Sequence, residues 1–103
     1  MRTLKITVYA GYDWRSRLAV RVVREAGVYI AGTYGIPVDV EVVEVPVGDV
    51  DAESSGVPTV ILEGRRVSSG SVPSLVDIVD EAFRLIEEEV APPGSATPIL
   101  AMV

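Results

Sequence analysis

Asp13 and Ser16, a carboxylate and a hydroxyl three residues apart, are the side chains in this sequence best placed for chemistry. They lie in the segment GYDWRSRL, where a predicted strand gives way to a predicted helix. Free N–H groups at a helix start attract anions, so the pair would suit a small anionic or thiol ligand. A serine nucleophile needs a base, however, and the sequence contains no histidine. An enzyme or small-ligand site on these residues is therefore an alternative hypothesis.

The sequence contains no Cys, His, Asn or Gln. Without Cys and His, the chain cannot supply a zinc finger, an iron–sulfur or haem ligand, or a Cys–His nucleophile pair. Asp49, Asp51 and Glu53 lie close together but lack the spacing of a calcium loop, which favours a solvated loop. We therefore expect no metal and no cofactor. The missing amides and thiols are typical of heat-adapted proteins, which indicates a hyperthermophilic and archaeal source.

Composition and charge favour one globular domain. The 103 residues are 49% hydrophobic and 23% charged. The formal net charge of −6 argues against nucleic acid or an anionic membrane as a partner. No apolar run approaches the roughly 20 residues of a membrane span, and the N-terminus has a strand pattern rather than a secretory signal. We expect a soluble cytoplasmic protein.

The first half of the chain has a strand–helix–strand pattern. The segment LKITVYAG, from Leu4 to Gly11, is typical of a buried strand. A helix is predicted from Asp13 to about Thr33, ended by Gly35 and Pro37. The strand pattern VDVEVVEVPV follows, and a right-handed crossover would place it parallel to the first strand. Helical spacing of apolar residues predicts a buried stripe at Leu18, Val22, Ala26 and Tyr29.

The second half has a strand–strand–helix pattern after a polar connection over 46–56. The runs PTVILEG and RRVSSG flank Glu63 and Gly64, a pair suited to a tight hairpin. Ser71 is predicted as the helix N-cap, with Pro73 in the first turn. The order β-α-β-β-β-α predicts an α/β fold with a mixed four-stranded sheet and helices packed on it. The helix, predicted to about Glu89, carries an apolar stripe of Leu75, Ile78, Val79, Ala82, Leu85 and Ile86 opposite Asp77, Glu81, Arg84 and Glu88.

The segment GVPTVILEGRRVSSGSVPS, residues 56–74, carries a resemblance to a known family. It resembles the thioredoxin superfamily, and most of all the small archaeal and bacterial proteins called redox-active disulfide protein 2, or thioredoxin-like family 3. The shared pattern is a Pro-led strand, a Gly hairpin and a Ser-Ser-Gly-x-Val-Pro-Ser stretch before the helix. The resemblance implies a minimal thioredoxin-like (glutaredoxin-like) fold over residues 1–90. It also implies site residues at the start of the second helix, at Ser69, Gly70 and Ser71.

Members of that family carry a Cys-x-x-Cys pair where the first strand meets the first helix. Placed on this chain, the two cysteine positions fall on Asp13 and Ser16 or, one residue earlier, on Tyr12 and Arg15. Neither pair contains a thiol, so thiol–disulfide exchange is excluded. In the first alignment, Asp13 would serve as a helix N-cap bonded to the amides near Arg15 and Ser16.

In the superfamily a cis-proline faces the dithiol across a groove, and the residue before it offers main-chain groups to a bound peptide. Pro58 and Val57 match these positions; alternatively, Pro58 only begins the third strand. The groove would be formed by Asp13, Trp14, Arg15, Ser16, Val57 and Pro58, with Trp14 on an exposed loop. The leading hypothesis is a non-catalytic module that binds a peptide or protein there, with a second copy of the chain among the candidate partners.

Two features lie outside this groove. Arg17, Arg21 and Arg24 share one helix face, which favours either solvated pairing with nearby acids or docking of an acidic partner. The tail, residues 91–103, reads as a flexible linker followed by the apolar segment Ile99 to Val103. The tail is expected to be disordered, to fold back on the sheet, or to pair with the sheet edge of a second copy. The last arrangement would make the protein a structural homo-oligomer.

Overall fold

The computed structural model describes residues 3–46 and 56–90. Most of the 46–56 connection, including Asp49, Asp51 and Glu53, and the 91–103 tail lie outside the described residues. The element order β-α-β-β-β-α is confirmed. The elements are β1 (Leu4–Ala10), α1 (Trp14–Tyr34), β2 (Val38–Glu44), β3 (Thr59–Leu62), β4 (Arg65–Ser69) and α2 (Leu75–Val90).

The four strands form one mixed sheet in the order β2-β1-β3-β4. The predicted parallel pairing of β1 with β2 is confirmed, with Leu4 opposite Val38. Strand β3 runs antiparallel to β1, with Tyr9 opposite Thr59, and β4 runs antiparallel to β3. The predicted hairpin turn is also confirmed, because Glu63 and Gly64 both have positive φ, at 50° and 83°. Two left-handed residues give a turn whose twist matches that of the strands.

Both helices cover one face of the sheet and contact each other. Alternate residues of β1 point at them, and all four are buried: Leu4, Ile6, Val8 and Ala10. From the helices, Val23, Ala26, Ile30, Ile78 and Ala82 complete this core. Strands β1 and β4 run in the same direction, so the helices that follow them also run parallel to each other.

The predicted buried stripe of α1 is partly wrong. Leu18 and Tyr29 are exposed, and Val22 is only half-buried. The residues that α1 buries are instead Ser16, Ala19, Val23, Ala26, Gly27 and Ile30. Side-chain size explains the difference: a Cβ on Gly27 would lie 3.3 Å from Val38 Cγ1, so a small residue is needed where the helix meets β2.

The predicted cap of α2 is wrong. Ser74, not Ser71, precedes the helix: the Asp77 N–H donates to Ser74 Oγ at 3.1 Å, and the Ser74 N–H donates to Asp77 Oδ2 at 3.4 Å. This reciprocal pair is a capping box with an aspartate at its third helical position. Pro73 therefore lies before the cap rather than in the first turn, and Leu75, the first helical residue, is exposed.

Candidate functional site

The junction between β1 and α1 is closed by hydrogen bonds between Asp13 and Ser16. Asp13 is the N-cap of α1, and its Oδ2 accepts the Ser16 N–H at 3.3 Å. The Ser16 hydroxyl donates to Asp13 Oδ1 at 2.5 Å and accepts the Gly11 N–H at 2.9 Å. The predicted cap is confirmed. The side chains of Asp13 and Ser16 are thus in direct contact.

Burial makes this pair unsuited to catalysis. Asp13 and Ser16 expose 1% and 0% of their surface. Burial by itself raises the pKa of the Asp13 carboxyl, but hydrogen bonds from the Ser16 hydroxyl and from backbone amides outweigh it and lower the pKa. A carboxylate with a lowered pKa is a weak general base, and a buried hydroxyl does not reach a substrate. The pair holds the start of α1 in place.

Two aromatic side chains flank this buried pair and point to solvent. Tyr12 is 57% exposed and Trp14 is 65% exposed. The predicted exposure of Trp14 is confirmed, although Trp14 is the first residue of α1 rather than part of a loop. The Arg17 guanidinium donates to the Tyr12 carbonyl at 3.4 Å, so the segment before the helix is also tied to its second turn. Arg15, on the same turn as Trp14, is half-buried.

A cavity of about 410 Å³ lies where β1 and β2 end beside the first turns of α1. Val20 and Val42 give it apolar walls, Arg17 and Glu44 give it one charge of each sign, and Tyr12 and the buried Ser16 also line it. Sequence reasoning missed Val42 and Glu44. The predicted parallel pairing of β1 and β2 was the signal that could have identified them, because the carboxyl ends of parallel strands meet at one edge of the sheet.

Val57 and Pro58 lie on the other side of β1. The pairing of β1 with β3 includes Tyr9 opposite Thr59, and Val57 and Pro58 directly precede Thr59. The peptide bond between Val57 and Pro58 is cis, and β3 begins at the next residue. Both side chains are buried, so they do not form the open groove walls that the sequence predicts. Among the described residues, the main-chain N–H and C=O of Val57 make no hydrogen bond.

The prediction that Ser69, Gly70 and Ser71 begin the second helix is wrong. Ser69 is the last residue of β4, Gly70 has a φ of 75°, and Ser71 is exposed in the loop that leads to Ser74. The Gly70 N–H donates to Gly56 O at 3.1 Å and to Pro58 O at 2.8 Å. Gly70 therefore fixes the segment around Val57, because it bonds to the residues on both sides.

Three further predictions concern the arginines of α1, metal binding and membrane-spanning helices. Arg17, Arg21 and Arg24 are exposed on α1, and Arg21 pairs with Glu25 at 3.4 Å. Within residues 3–46 and 56–90, no group of three or more acidic residues is arranged to hold a metal ion. No helix in these same ranges is long and apolar enough to cross a membrane.

Comparison with protein-family models, with curated proteins and with solved structures finds no match for this chain.

Proposed function

We propose that this chain is a redox-inactive thioredoxin-like module that binds a peptide or protein partner at the start of α1. The observation that carries the proposal is the contrast within three consecutive residues: Tyr12 and Trp14 are exposed, while Asp13 between them is buried in the cap. Rigid, exposed aromatic side chains are frequent anchors of protein interfaces. The side chains of Asp13 and Ser16 beside them are already hydrogen-bonded to each other, which favours binding over catalysis.

The family assignment is supported by the placement of three features. The order of elements is the one that the resemblance implies. Asp13 and Ser16, in the cysteine positions, lie at the cap and third residue of α1, where a reactive thiol would gain from the helix dipole. Val57 and Pro58 directly precede β3, whose first residue Thr59 pairs with Tyr9 near that junction, and the resemblance implies a proline there.

An extended peptide would find two kinds of contact here. The Val57 N–H and C=O have no partner among the described residues, and buried main-chain groups are nearly always paired, so a peptide backbone would satisfy them. Val57 itself is only 3% exposed, so this contact requires a local opening. The cavity between Val20 and Val42 would accept one apolar side chain from the same partner.

Two alternative functions have less support. Catalysis or ligand binding by Ser16 and Asp13 conflicts with their burial. A homo-oligomer assembled through the tail and a sheet edge depends on residues 91–103, which lie outside the described residues, so it stays a hypothesis.

The experiment uses the single tryptophan as its probe. Peptides are selected from a random-sequence display library on the immobilised protein and then titrated in solution while Trp14 emission is recorded. Because Trp14 is the only tryptophan and is exposed, a peptide that covers it should shift the emission to shorter wavelength. Binding to Tyr12→Ala and Trp14→Ala variants is measured by calorimetry. Tyr29→Ala is the matched control. Tyr29 is also an exposed tyrosine, but it lies on α1, far from the junction.

We expect Tyr12→Ala and Trp14→Ala each to weaken binding about 30-fold or more, since a hot-spot residue contributes about 2 kcal/mol or more. Tyr29→Ala should bind as the unchanged protein does. Selected peptides that bind all four proteins equally would contradict the proposal, and so would a library from which nothing is selected. Val57→Asp is a poor test, because Val57 is buried and a carboxylate there would unfold the chain.

A further inference from the structure

The cavity at the carboxyl ends of β1 and β2 has two charges that the proposed peptide contact leaves unused. Arg17 of α1 and Glu44 of β2 both line it, together with the apolar side chains of Val20 and Val42. The apolar walls suit a side chain of a bound peptide. A residue inside a peptide, however, carries no charge on its main chain, so it would pair with neither Arg17 nor Glu44.

Neither charge is neutralised by the described part of the chain. Arg17 and Glu44 are both exposed, and within residues 3–46 and 56–90 neither forms an ion pair, with each other or with another side chain. The Arg17 guanidinium donates one hydrogen bond, from Nη2 to the Tyr12 carbonyl at 3.4 Å. A guanidinium has five N–H donors, so Arg17 keeps donors for a ligand.

The lining between the two charges is apolar and fixed in position. Val20 and Val42 are partly buried and pack against the core, and β-branched side chains adopt few rotamers. The Ser16 hydroxyl already donates to Asp13 and accepts the Gly11 N–H. The part of a ligand that lies between Arg17 and Glu44 therefore meets mainly apolar side chains.

The volume and the charges of the cavity select a class of ligand. Its 410 Å³ lies within the range of about 300–1,000 Å³ that is usual for small-molecule sites. A phosphate would meet Glu44 as a like charge, and a metal ion would find a single carboxylate in the lining. A small molecule with one positive group, one negative group and an apolar part fits the whole lining.

We propose that this cavity binds a free α-amino acid with an aliphatic side chain. The α-carboxylate pairs with Arg17, whose planar guanidinium matches the geometry of a carboxylate, and the α-ammonium pairs with Glu44. The aliphatic side chain lies between Val20 and Val42. This ligand goes beyond the proposed peptide function and does not depend on it, because a free amino acid carries both charges on one residue.

The test titrates the isotope-labelled full chain with L-leucine and follows the backbone amide signals by NMR. We expect saturable shifts at the amides that line the cavity. Arg17→Gln and Glu44→Gln should each weaken leucine binding about threefold or more, since each removes one exposed ion pair with the ligand. Arg24→Gln on α1 and Asp39→Asn on β2 are matched controls, because both residues are exposed and neither lines the cavity.

Two derivatives of leucine separate the two charges. N-acetyl-leucine keeps the carboxylate and lacks the ammonium group, whereas leucinamide keeps the ammonium group and lacks the carboxylate. Each should bind more weakly than leucine. Glu44→Gln should not weaken the binding of N-acetyl-leucine further, and Arg17→Gln should not weaken that of leucinamide. Because Arg17 and Glu44 are exposed, neither substitution removes a core contact, and far-UV circular dichroism verifies that each variant is folded.

Leucine that produces no saturable shift overturns the proposal, and so do shifts confined to amides outside the cavity. Equal affinity for leucine and both derivatives also overturns it, since the charges would then take no part in binding. The peptide experiment has a separate outcome. Leucine binding without any selected peptide would contradict the proposed function alone, and selected peptides without leucine binding would contradict this inference alone.

Discussion

The Asp13 carboxylate lies at the N-cap of α1, where a helix start favours negative charge. The same free N–H groups that would stabilise a reactive thiolate there bind a permanent anion instead. The Ser16 N–H and the Ser16 hydroxyl both donate to this carboxylate. These hydrogen bonds stabilise the junction and make the carboxylate less reactive. The exposed aromatic residues on either side are thereby held on a fixed backbone.

Asp13→Ala should destabilise the fold by about 2–4 kcal/mol, because it removes an N-cap and leaves the buried Ser16 hydroxyl without its acceptor. Asp13→Asn should cost less, since its one amide oxygen can still accept one of the two hydrogen bonds, that of the Ser16 N–H or that of the Ser16 hydroxyl. Urea denaturation of the three proteins at neutral pH measures these differences. An Asp13→Ala variant as stable as the unchanged protein would contradict the role of the cap.

The pH dependence of stability separates the contribution of the Asp13 charge from the contribution of the side chain's shape. The folded-state pKa of Asp13 is lowered, so its charged form contributes stability that is complete above the unfolded value near 4. That contribution is lost as the pH falls through the folded value. The stability difference between the unchanged protein and Asp13→Asn should therefore be constant from neutral pH down to about 5 and shrink below about 4. A difference that does not change with pH would show that the charge contributes nothing.

The cap at Asp13 could be predicted from sequence because N-capping is local, with donor and acceptor three residues apart. The burial of Val57 and Pro58 could not, because it depends on strands and loops that are distant along the chain. Gly70, which fixes the segment around Val57, is fourteen residues beyond Gly56, to which it bonds. No local pattern specifies such a contact.

Helix and strand positions were predictable because apolar periodicity and Gly or Pro at element ends are local signals. The buried face of α1 was not, since apolar side chains lie on several sides of that helix. Leu18 and Tyr29 fit the apolar periodicity, whereas the close approach of α1 to Val38 of β2 requires a residue without a side chain at Gly27. Hydropathy without size therefore gave a stripe that shares only Ala26 with the buried face.

The start of α2 allows a direct comparison of two serines. Ser74 bonds to the Asp77 N–H, whereas Ser71 is exposed in the preceding loop. Ser74→Ala should lower the free energy of unfolding by about 1 kcal/mol, the usual contribution of an N-cap, and Ser71→Ala by less than about 0.5 kcal/mol. Thermal or urea denaturation of both variants checks the assignment. A larger loss of stability for Ser71→Ala than for Ser74→Ala would mean that Ser71 is the N-cap, as the sequence pattern predicts.

The whole molecule places its proposed peptide site at one end of the fold. The site lies where α1 begins, beside the carboxyl ends of β1 and β2. Both helices cover the same face of the sheet, and the core lies between the helices and the sheet.

All described elements share a single core, which predicts one cooperative unfolding transition. Ile30 is fully buried in that core, whereas Val28, two residues earlier on α1, is 75% exposed. Ile30→Ala should cost about 2–5 kcal/mol, a large part of the roughly 5–15 kcal/mol that stabilises a domain of this size. Val28→Ala should change stability by less than about 0.5 kcal/mol, and because both variants introduce alanine into the same helix, helix propensity does not account for the difference. Urea denaturation should show an equal denaturant dependence for all three proteins, with the midpoint lowered only for Ile30→Ala. Similar losses for the two variants would mean that α1 is turned differently on the sheet, and a biphasic transition would mean that the helices and the sheet do not share one core.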